Sequence, residues 1–300
     1  MDYKKILKSR ALRLGILRML SFVPDKAMLK LQYKAKHGRK LNLGNPERFT
    51  EKLQWYKAYY RNEVMHQCVD KYGVREYVAS KGLSSILTEL YGVYDGVDDI
   101  DVSELPERFV VKTTNGGGGL NVHICKDKAA FDKVDVKQKI GQLRRTKKGE
   151  GGREWAYIGI EPKIIVEEYL ENPQNPEAGV NDYKFLCFGG KPECVWVDVD
   201  RHTDHKRSFY DVQWNKMDAT CGYPDYDQLI EKPENFERMV EIAAKLSEDF
   251  PHVRVDLYNV GGKIYFGELT FYTGSGYEYF SPDEFDYELG KKFVLPEVKG

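Results

Sequence analysis

Apolar positions along the chain recur at two periods, and the period changes near the middle. Between residues 4 and 37, Leu12, Ile16, Leu17 and Leu20 fall near helical spacing. This predicts one or two amphipathic helices broken near Pro24-Asp25. Asn45–Thr50 reads as a turn, with Thr50 as N-cap of a helix over EKLQWYKAYY. A second helix is predicted from Val64 to Lys81, ending at Gly82 and carrying Asp70, Lys71 and Arg75. Gly82–Asp101 is mixed strand and loop.

From Leu105 the spacing changes to the short apolar runs of strands. RFVVKTT and LNVHIC are predicted to pair around Asn115 and the glycines 116–119. A helix is expected over Lys126–Arg145. Thr146–Gly152 is a Lys/Gly-rich loop expected to be mobile. Strands follow at Lys163–Leu170, Tyr183–Phe188, Glu193–Asp200 and Arg207–Val212, then a helix at Asn235–Asp249. The last strong signal is HVRVDLYNVGGKIYFGELTFY. Two alternating runs, Val253–Tyr258 and Lys263–Phe271, flank Asn259-Val260-Gly261-Gly262, the signature of a hairpin.

In that hairpin Arg254 and Asp256 share one face, as do Glu268 and Thr270 on the partner strand. An odd number of loop residues centred near Gly262 sets Asp256 directly opposite Glu268. Opposed carboxylates repel. Either a hard cation sits between them, or the face is exposed and balanced by Arg254.

Composition bounds the answer. The 300 residues, 41% hydrophobic and 13% aromatic, are those of a folded chain of one large or two to three small domains. Net charge is −1, which gives no global electrostatic case for nucleic acid. The charge is uneven, however. Residues 1–40 carry twelve Lys and Arg against two Asp, a net of +10, and the other 260 carry 34 basic and 45 acidic side chains, a net of −11. A basic amphipathic helix either lies on an anionic membrane or a partner, or packs its stripe on the protein's own body. No run of about 18 apolar residues predicts a membrane span. Lys8, Arg10, Arg13 and Arg18 make the N-terminus a poor signal peptide. Cys68, Cys125, Cys187, Cys194 and Cys221 form no CxxC pair and read as buried thiols, which fits a reducing cytoplasm.

Lys112 at a strand end with Gly116, Gly117, Gly118 and Gly119 beyond it can form a flap over phosphate, since glycine lets backbone N–H groups approach closely. It is neither a Walker A loop nor GxGxxG. The strand IVEEYL can offer backbone groups to an adenine edge, with Glu167, Glu168 and Glu171 placed for ribose hydroxyls. Taken singly, the first is also a flexible turn and the second an ordinary strand with a solvated acidic end.

The order of these motifs resembles the ATP-grasp superfamily, and most closely the TupA-like ATP-grasp proteins of bacterial surface-polysaccharide and teichuronopeptide gene clusters. The segments that carry the resemblance run from about Asn45 to Phe280: FTEKLQWYK, VDKYGVREYV, LPERFVVKTTNGGGG, KIIVEEYL, DYKFLCFGG, VRVDLY and GELTFYTGSGYE. The resemblance implies an α+β (α/β) ATP-grasp fold, two α+β subdomains clasping ATP with a helical N-terminal region. It divides the chain into a basic segment 1–40, a helical pre-grasp region 41–104, a small subdomain with the Gly-rich flap 105–170, and a large subdomain with the metal-binding hairpin 171–300.

The resemblance also implies roles. Lys71 and Lys112 bind ATP, the glycines 116–119 form the flap, and Glu167, Glu168, Leu170 and Glu171 line adenine and ribose. Lys184 meets the γ-phosphate, and Arg254 steadies the transition state. Asp256 and Glu268 hold magnesium. Thr270, the third implied metal residue, stands where many relatives have Asn, and a hydroxyl is a weaker ligand than an amide oxygen, so a second magnesium is held loosely or water fills that position. The implied activity is an ADP-forming carboxylate–amine ligase that uses ATP and Mg2+ on a uronic acid or amino-acid carboxylate. A sugar phosphotransferase and a non-catalytic nucleotide-binding partner of a glycosyltransferase are the alternatives. His202, Asp204, His205, Arg207 and the trio Arg153, Glu154 and Trp155 are either acceptor contacts or polar surface loops. Asp198-Val199-Asp200 has the DxD spacing of glycosyltransferases but ends a strand within the ATP-grasp pattern. The expected location is cytoplasmic, with residues 1–40 available to the inner face of the membrane or to a glycosyltransferase.

Overall fold

The computed structural model describes residues 10–116, 121–141, 143–173 and 175–297. Helices α1 (Arg10–Met19) and α2 (Asp25–His37) are joined by a short 3₁₀ turn, Leu20–Phe22, and the break falls at Pro24. Three helices follow, α3 (Phe49–Tyr59), α4 (Val64–Val69) and α5 (Gly73–Ser80).

Two expected helices differ from the sequence reading. Helix α3 starts two residues earlier, at Phe49. Glu51 Oε2 accepts from the backbone N–H of Glu47 at 3.1 Å and from that of Arg48 at 3.2 Å. It so caps the helix from within. Thr50 is not the cap. It is buried and gives its N–H and hydroxyl to Asp286, at 2.9 and 2.7 Å. The single helix expected over 64–81 is two, because Asp70 Oδ1 accepts from the N–H groups of Tyr72 (3.0 Å) and Gly73 (2.8 Å). That interaction diverts the chain and restarts it as α5.

Strands β1 (Leu90–Tyr94), β2 (Phe109–Thr113), β3 (Val122–Cys125) and β4 (Ile164–Glu168) form an antiparallel sheet in the order β1-β4-β2-β3. Strand β1 lies before residue 105, so this sheet draws on both sides of that sequence boundary. Helix α6 (Lys133–Ile140) is shorter than expected, since Asp132 caps it at Val134 N. Alternate residues Phe109, Val111, Ile164 and Val166 bury with Val136 and Ile140. The opposite face therefore carries Lys112 and Glu167.

The larger sheet is built from β5 (Asp182–Phe188), β6 (Lys191–Val199), β7 (Lys206–Asp211), β8 (Lys216–Met217), β10 (His252–Val260) and β11 (Lys263–Thr270), in the order β11-β10-β5-β6-β7-β8. A small pair, β9 (Thr220–Cys221) with β12 (Phe280–Ser281), and helices α7 (Phe236–Ser247) and α8 (Asp283–Lys292) complete it. One face packs on α7: Phe185 stacks on Phe236 with ring centroids 5.9 Å apart, and Cys187 Sγ donates to Ala243 O. The other face is free to carry polar side chains. All five cysteines are buried and free. No helix among the described residues is long and apolar enough to cross a membrane.

Part of the N-terminal segment packs on the protein's own body. Met28, Leu29 and Tyr33 of α2 are buried, the last two in a cluster with Leu41 and Leu43. Met19 and Phe22 instead stand 77% and 81% exposed. Helix α2 is thus part of the body. Deleting residues 1–40 removes three fully packed side chains worth about 2–5 kcal/mol each, enough to exhaust the stability of an ordinary domain. Circular dichroism melting should show loss of the cooperative transition or no soluble protein. A melting temperature within a few degrees of the full chain would contradict this packing.

Candidate active site

The site grows from the register of the β10–β11 hairpin. Its turn is two residues long, with Gly261 at φ +57° and Gly262 at φ +82° between the paired Val260 and Lys263. Both angles suit glycine, as a type I′ turn requires. That turn alone would not oppose Asp256 to Glu268. A bulge does: Leu257 pairs with Phe266, Asp256 pairs with Glu268, and Gly267 is the extra residue. A Cβ on Gly267 would lie 3.0 Å from the Asp256 carbonyl oxygen. The expected opposition is therefore present, reached by an even turn and a bulge rather than by an odd loop.

Pairing across the sheet sets Glu268, Asp256, Lys184 and Trp196 in one row over β11, β10, β5 and β6. The row is not a solvated face, since Asp256 is 1% exposed and Lys184 6%. The guanidinium of Arg254 fills the space between the carboxylates. Its Nε and Nη2 both donate to Asp256 at 2.6 Å, and Nη2 also donates to Glu268 Oε1 at 3.0 Å and to Thr270 Oγ1 at 3.1 Å. Trp196 lies below it, with 5.4 Å from ring centroid to guanidinium carbon, a cation–π contact. Lys184 Nζ donates to Asp256 Oδ2 at 2.9 Å and also to Asp182.

This arrangement corrects one electrostatic expectation. A facing pair of carboxylates alone would push one pKa upward. Burial does raise Glu268, but Arg254, then Lys71 and Lys184, outweigh it and hold Glu268 below the usual carboxylate range. Arg254 feels burial first as a lowering, and Asp256 and Glu268 reverse it, so its pKa ends above the ordinary value.

The small sheet supplies the facing cations. Lys112 Nζ donates to Glu167 Oε1, and Thr88 donates to Glu167 Oε2 at 3.2 Å. Lys71 sits in the break between α4 and α5. Its N–H donates to Thr114 O at 2.9 Å and its Nζ to Gly116 O, which docks it on the start of the Gly-rich stretch. Lys71, Gly116, Tyr157 and Glu268 line one pocket. Burial lowers the Lys71 pKa, opposed by Glu268.

The acidic strand divides. Glu167 points to the lysines, whereas Glu168 Oε2 accepts from Glu89 N and its Oε1 from Tyr265 of the other sheet, at 3.4 Å. Leu170 lies past the end of β4, half-buried, and Glu171 pairs with Arg108 at 2.7 Å on the surface. Gly117, Gly118 and Gly119 lie outside the described residues.

A ring of further charges supports the row, of which Arg201 alone carried no signal in the sequence. Asp182 and Asp198 flank Lys184, Arg201 donates to Asp182 at 2.8 Å, and Arg207 is clamped to Asp198 through Nε at 2.6 Å and Nη2 at 3.1 Å. The two acids stand two positions from Lys184 and Trp196, so strand alternation sets them on the same face; Asp182 opens DYKFLCFGG and Asp198 opens the DVD triplet. Arg207 and His205 are occupied by Asp198, Asp204 is exposed beside Lys206, and His202 stands beside Gly179. None of these four lines the pocket of Lys71 and Glu268.

The donor set fits magnesium only together with phosphate. Among the described residues no group of three or more His, Cys, Asp or Glu could hold a metal alone. Glu268 Oε2 has no hydrogen-bond partner among the described residues, while Oε1 already accepts from Arg254 and Thr270. Thr270 Oγ1 is engaged on both sides, which leaves it poorly placed as a ligand. Glu268 Oε2 is thus the open hard oxygen of the pair, since both Asp256 oxygens already accept from Arg254 and Lys184; with phosphate oxygens and waters it would begin a magnesium shell.

Lys71 and the first residue of the Gly-rich stretch meet the hairpin carboxylate Glu268 in one pocket, as expected of an ATP-grasp protein. The chain belongs to the TupA-like ATP-grasp family, whose profile matches residues 51–294. No curated protein matches the chain. Among solved structures it is similar to D-alanine–D-alanine ligase from Bacillus anthracis, at 18% identity and TM-score 0.42, over 68% of this chain and 57% of that one. The same ligase from Helicobacter pylori aligns at 18% identity and TM-score 0.45, over 82% and 68%. A biotin carboxylase from Campylobacter jejuni aligns at 12% and 0.44, over 93% and 54%. The chain thus spans little more than half of two of these three proteins, and the family assignment rests on the sequence match.

The charge row yields a stability prediction. Asp256→Asn leaves Arg254 and Lys184 buried with one carboxylate fewer, and breaking a buried pair costs about 3–5 kcal/mol. Glu268, with a side chain 35% exposed, should cost far less as Glu268→Gln. Urea denaturation of both variants checks the order. An Asp256→Asn protein as stable as the parent would mean that the carboxylates repel in the fold.

Proposed function

We propose that the protein is an ATP-dependent carboxylate–amine ligase releasing ADP and phosphate. The observation that carries the reading is the row Lys184, Asp256 and Glu268 crossed by Arg254 and faced by Lys71 and Lys112. Phosphoryl transfer needs positioning and charge neutralisation more than a protein nucleophile, and this row supplies fixed cations beside carboxylates able to hold a divalent ion.

In this reading Lys71 and Lys112 bind the nucleotide phosphates, and Glu167 keeps Lys112 aimed. A substrate carboxylate oxygen attacks the γ-phosphorus as the bond to the ADP oxygen breaks. Lys184 and Arg254 offset the charge on the transferring group. An amine then attacks the acyl carbon, loses a proton, and phosphate leaves with the former carboxylate oxygen. Glu268, with Asp256 beside it, would hold magnesium, which when bound would supply charge neutralisation. The resemblance to proteins of surface-polysaccharide clusters supports a uronic acid or amino-acid carboxylate on a glycan or its precursor as substrate.

Mass spectrometry of the purified protein with ATP, magnesium and pools of uronic acids and amino acids tests the reading through its product. An amide is expected, and a phosphorylated sugar would replace the ligase by a phosphotransferase. Lys112→Ala should weaken ATP binding about 10- to 100-fold, since charge-assisted contacts are worth about 1.5–3 kcal/mol. Calorimetric titration with ATP measures it, and an unchanged affinity would remove Lys112 from the nucleotide site.

A further inference from the structure

A second cleft, of about 260 Å³, opens where the N-terminal segment meets the loop before β4. It is lined by Asp25, Arg61, Lys148, Arg153, Trp155 and Ile158, three cations against one acid. The cleft is built rather than incidental. Arg153 is 4% exposed. Its backbone stands at φ +58°, a strained setting for a side chain of this size. Its Nη1 donates to Val23 O and Asp25 Oδ1 and its Nη2 to Leu20 O, all at 2.8 Å. Its Nε is buried without a hydrogen-bond partner. Gly149 lets the loop press on the N-terminal turn, since a Cβ there would collide with Ser21 O.

The remaining two cations are held differently. Arg61 Nη1 donates to Lys57 O at 2.9 Å and to Tyr60 O at 2.6 Å, and the guanidinium lies 5.2 Å from the Trp155 ring centroid. Trp155 in turn packs on His66 at 4.1 Å. Lys148 is exposed and has no hydrogen bond or ion pair among the described residues. Asp25 is paired with Arg153 and acts on Arg61 only without an ion pair, so Lys148 is left with no ion-pair partner among the described residues.

The cleft adjoins the site already described. One 3₁₀ turn, Trp155–Tyr157, separates them: Trp155 lines the cleft, and Tyr157 lines the pocket of Lys71, Gly116 and Glu268. Tyr157 is close enough to Glu268 and Arg254 to feel both charges. A ligand in the cleft therefore sits one turn from the pocket of Lys71 and Glu268.

We propose that this cleft binds the acceptor by an anionic group, a carboxylate or phosphate, other than the carboxylate that reacts. The assignment rests on the ligase reading for the word acceptor, while binding of an acidic sugar by these cations does not depend on turnover. Lys148 and Arg61 contact the anion, and Arg153 is a positioning residue that fixes the loop on the N-terminal turn.

The test is calorimetric titration of the full chain with α-D-glucuronic acid 1-phosphate, with glucose as the neutral control and ATP titrated separately. The parent protein should bind the acidic sugar saturably and glucose not at all. Lys148→Glu should weaken the sugar about tenfold or more, as loss and reversal of a charge-assisted contact requires. Arg61→Gln should weaken it less, Lys148→Arg should retain it, and ATP affinity should stay within about twofold throughout. Absence of saturable binding to the parent overturns the proposal, as does unchanged sugar affinity in Lys148→Glu. An equal loss of ATP affinity also overturns it, by assigning Lys148 to the nucleotide. Sugar binding at the cleft with no amide product from any acceptor would contradict the ligase reading alone.

Discussion

The structure depends on the Arg254 guanidinium held between Asp256 and Glu268. Burying Asp256 opposite the half-buried Glu268 on paired strands costs far more than a hairpin gains unless a cation shares the space. Arg254 supplies it with a planar fork of donors, which reaches both acids and Thr270 at once. Lys184 takes the remaining side of Asp256. The hairpin is thus satisfied internally while still holding a surplus of groups suited to phosphate and metal. That balance explains how a folded protein keeps such a row buried before any ligand arrives.

The same constraint decides how far the sequence could be read. Period two in RVDLY and GELTF placed Arg254 with Asp256 and Glu268 with Thr270, because strand faces are set by local geometry. The opposition of the two acids was legible only as a conditional, since the bulge at Gly267 is invisible to alternation. The identity of the ion between them was not legible, because Arg254 could equally have pointed to solvent. Helix ends were misplaced where side chains compete with the backbone. Asp70 cuts a helix in two, and Thr50, a good cap by type, is claimed by Asp286 some 236 positions away. Long-range partners of that kind leave no local trace. The pairing of Asp182 with Arg201 and of Asp198 with Arg207 left no trace for the same reason, although Asp182, Asp198 and Arg207 each stood in a motif or among the candidate contacts.

The basic N-terminal segment has two physical characters that a single amphipathic pattern merged. Helix α2 buries Met28, Leu29 and Tyr33 against the body, whereas the turn before it exposes Met19 and Phe22 and lends its carbonyls to Arg153. The loop before β4, expected to be mobile, is tied to that turn through Arg153 and through the close approach at Gly149. The chain's first helices therefore shape the neighbourhood of the proposed site, rather than standing apart as a basic tail.

Transfer of phosphate by this row of charges to a carboxylate oxygen is tested most directly with an acceptor whose carboxylate carries oxygen-18, incubated with ATP, magnesium and an amine. The expected products are ADP and an amide, with one labelled oxygen recovered in the released phosphate. Unlabelled phosphate, or AMP in place of ADP, would contradict the ligase reading at its centre.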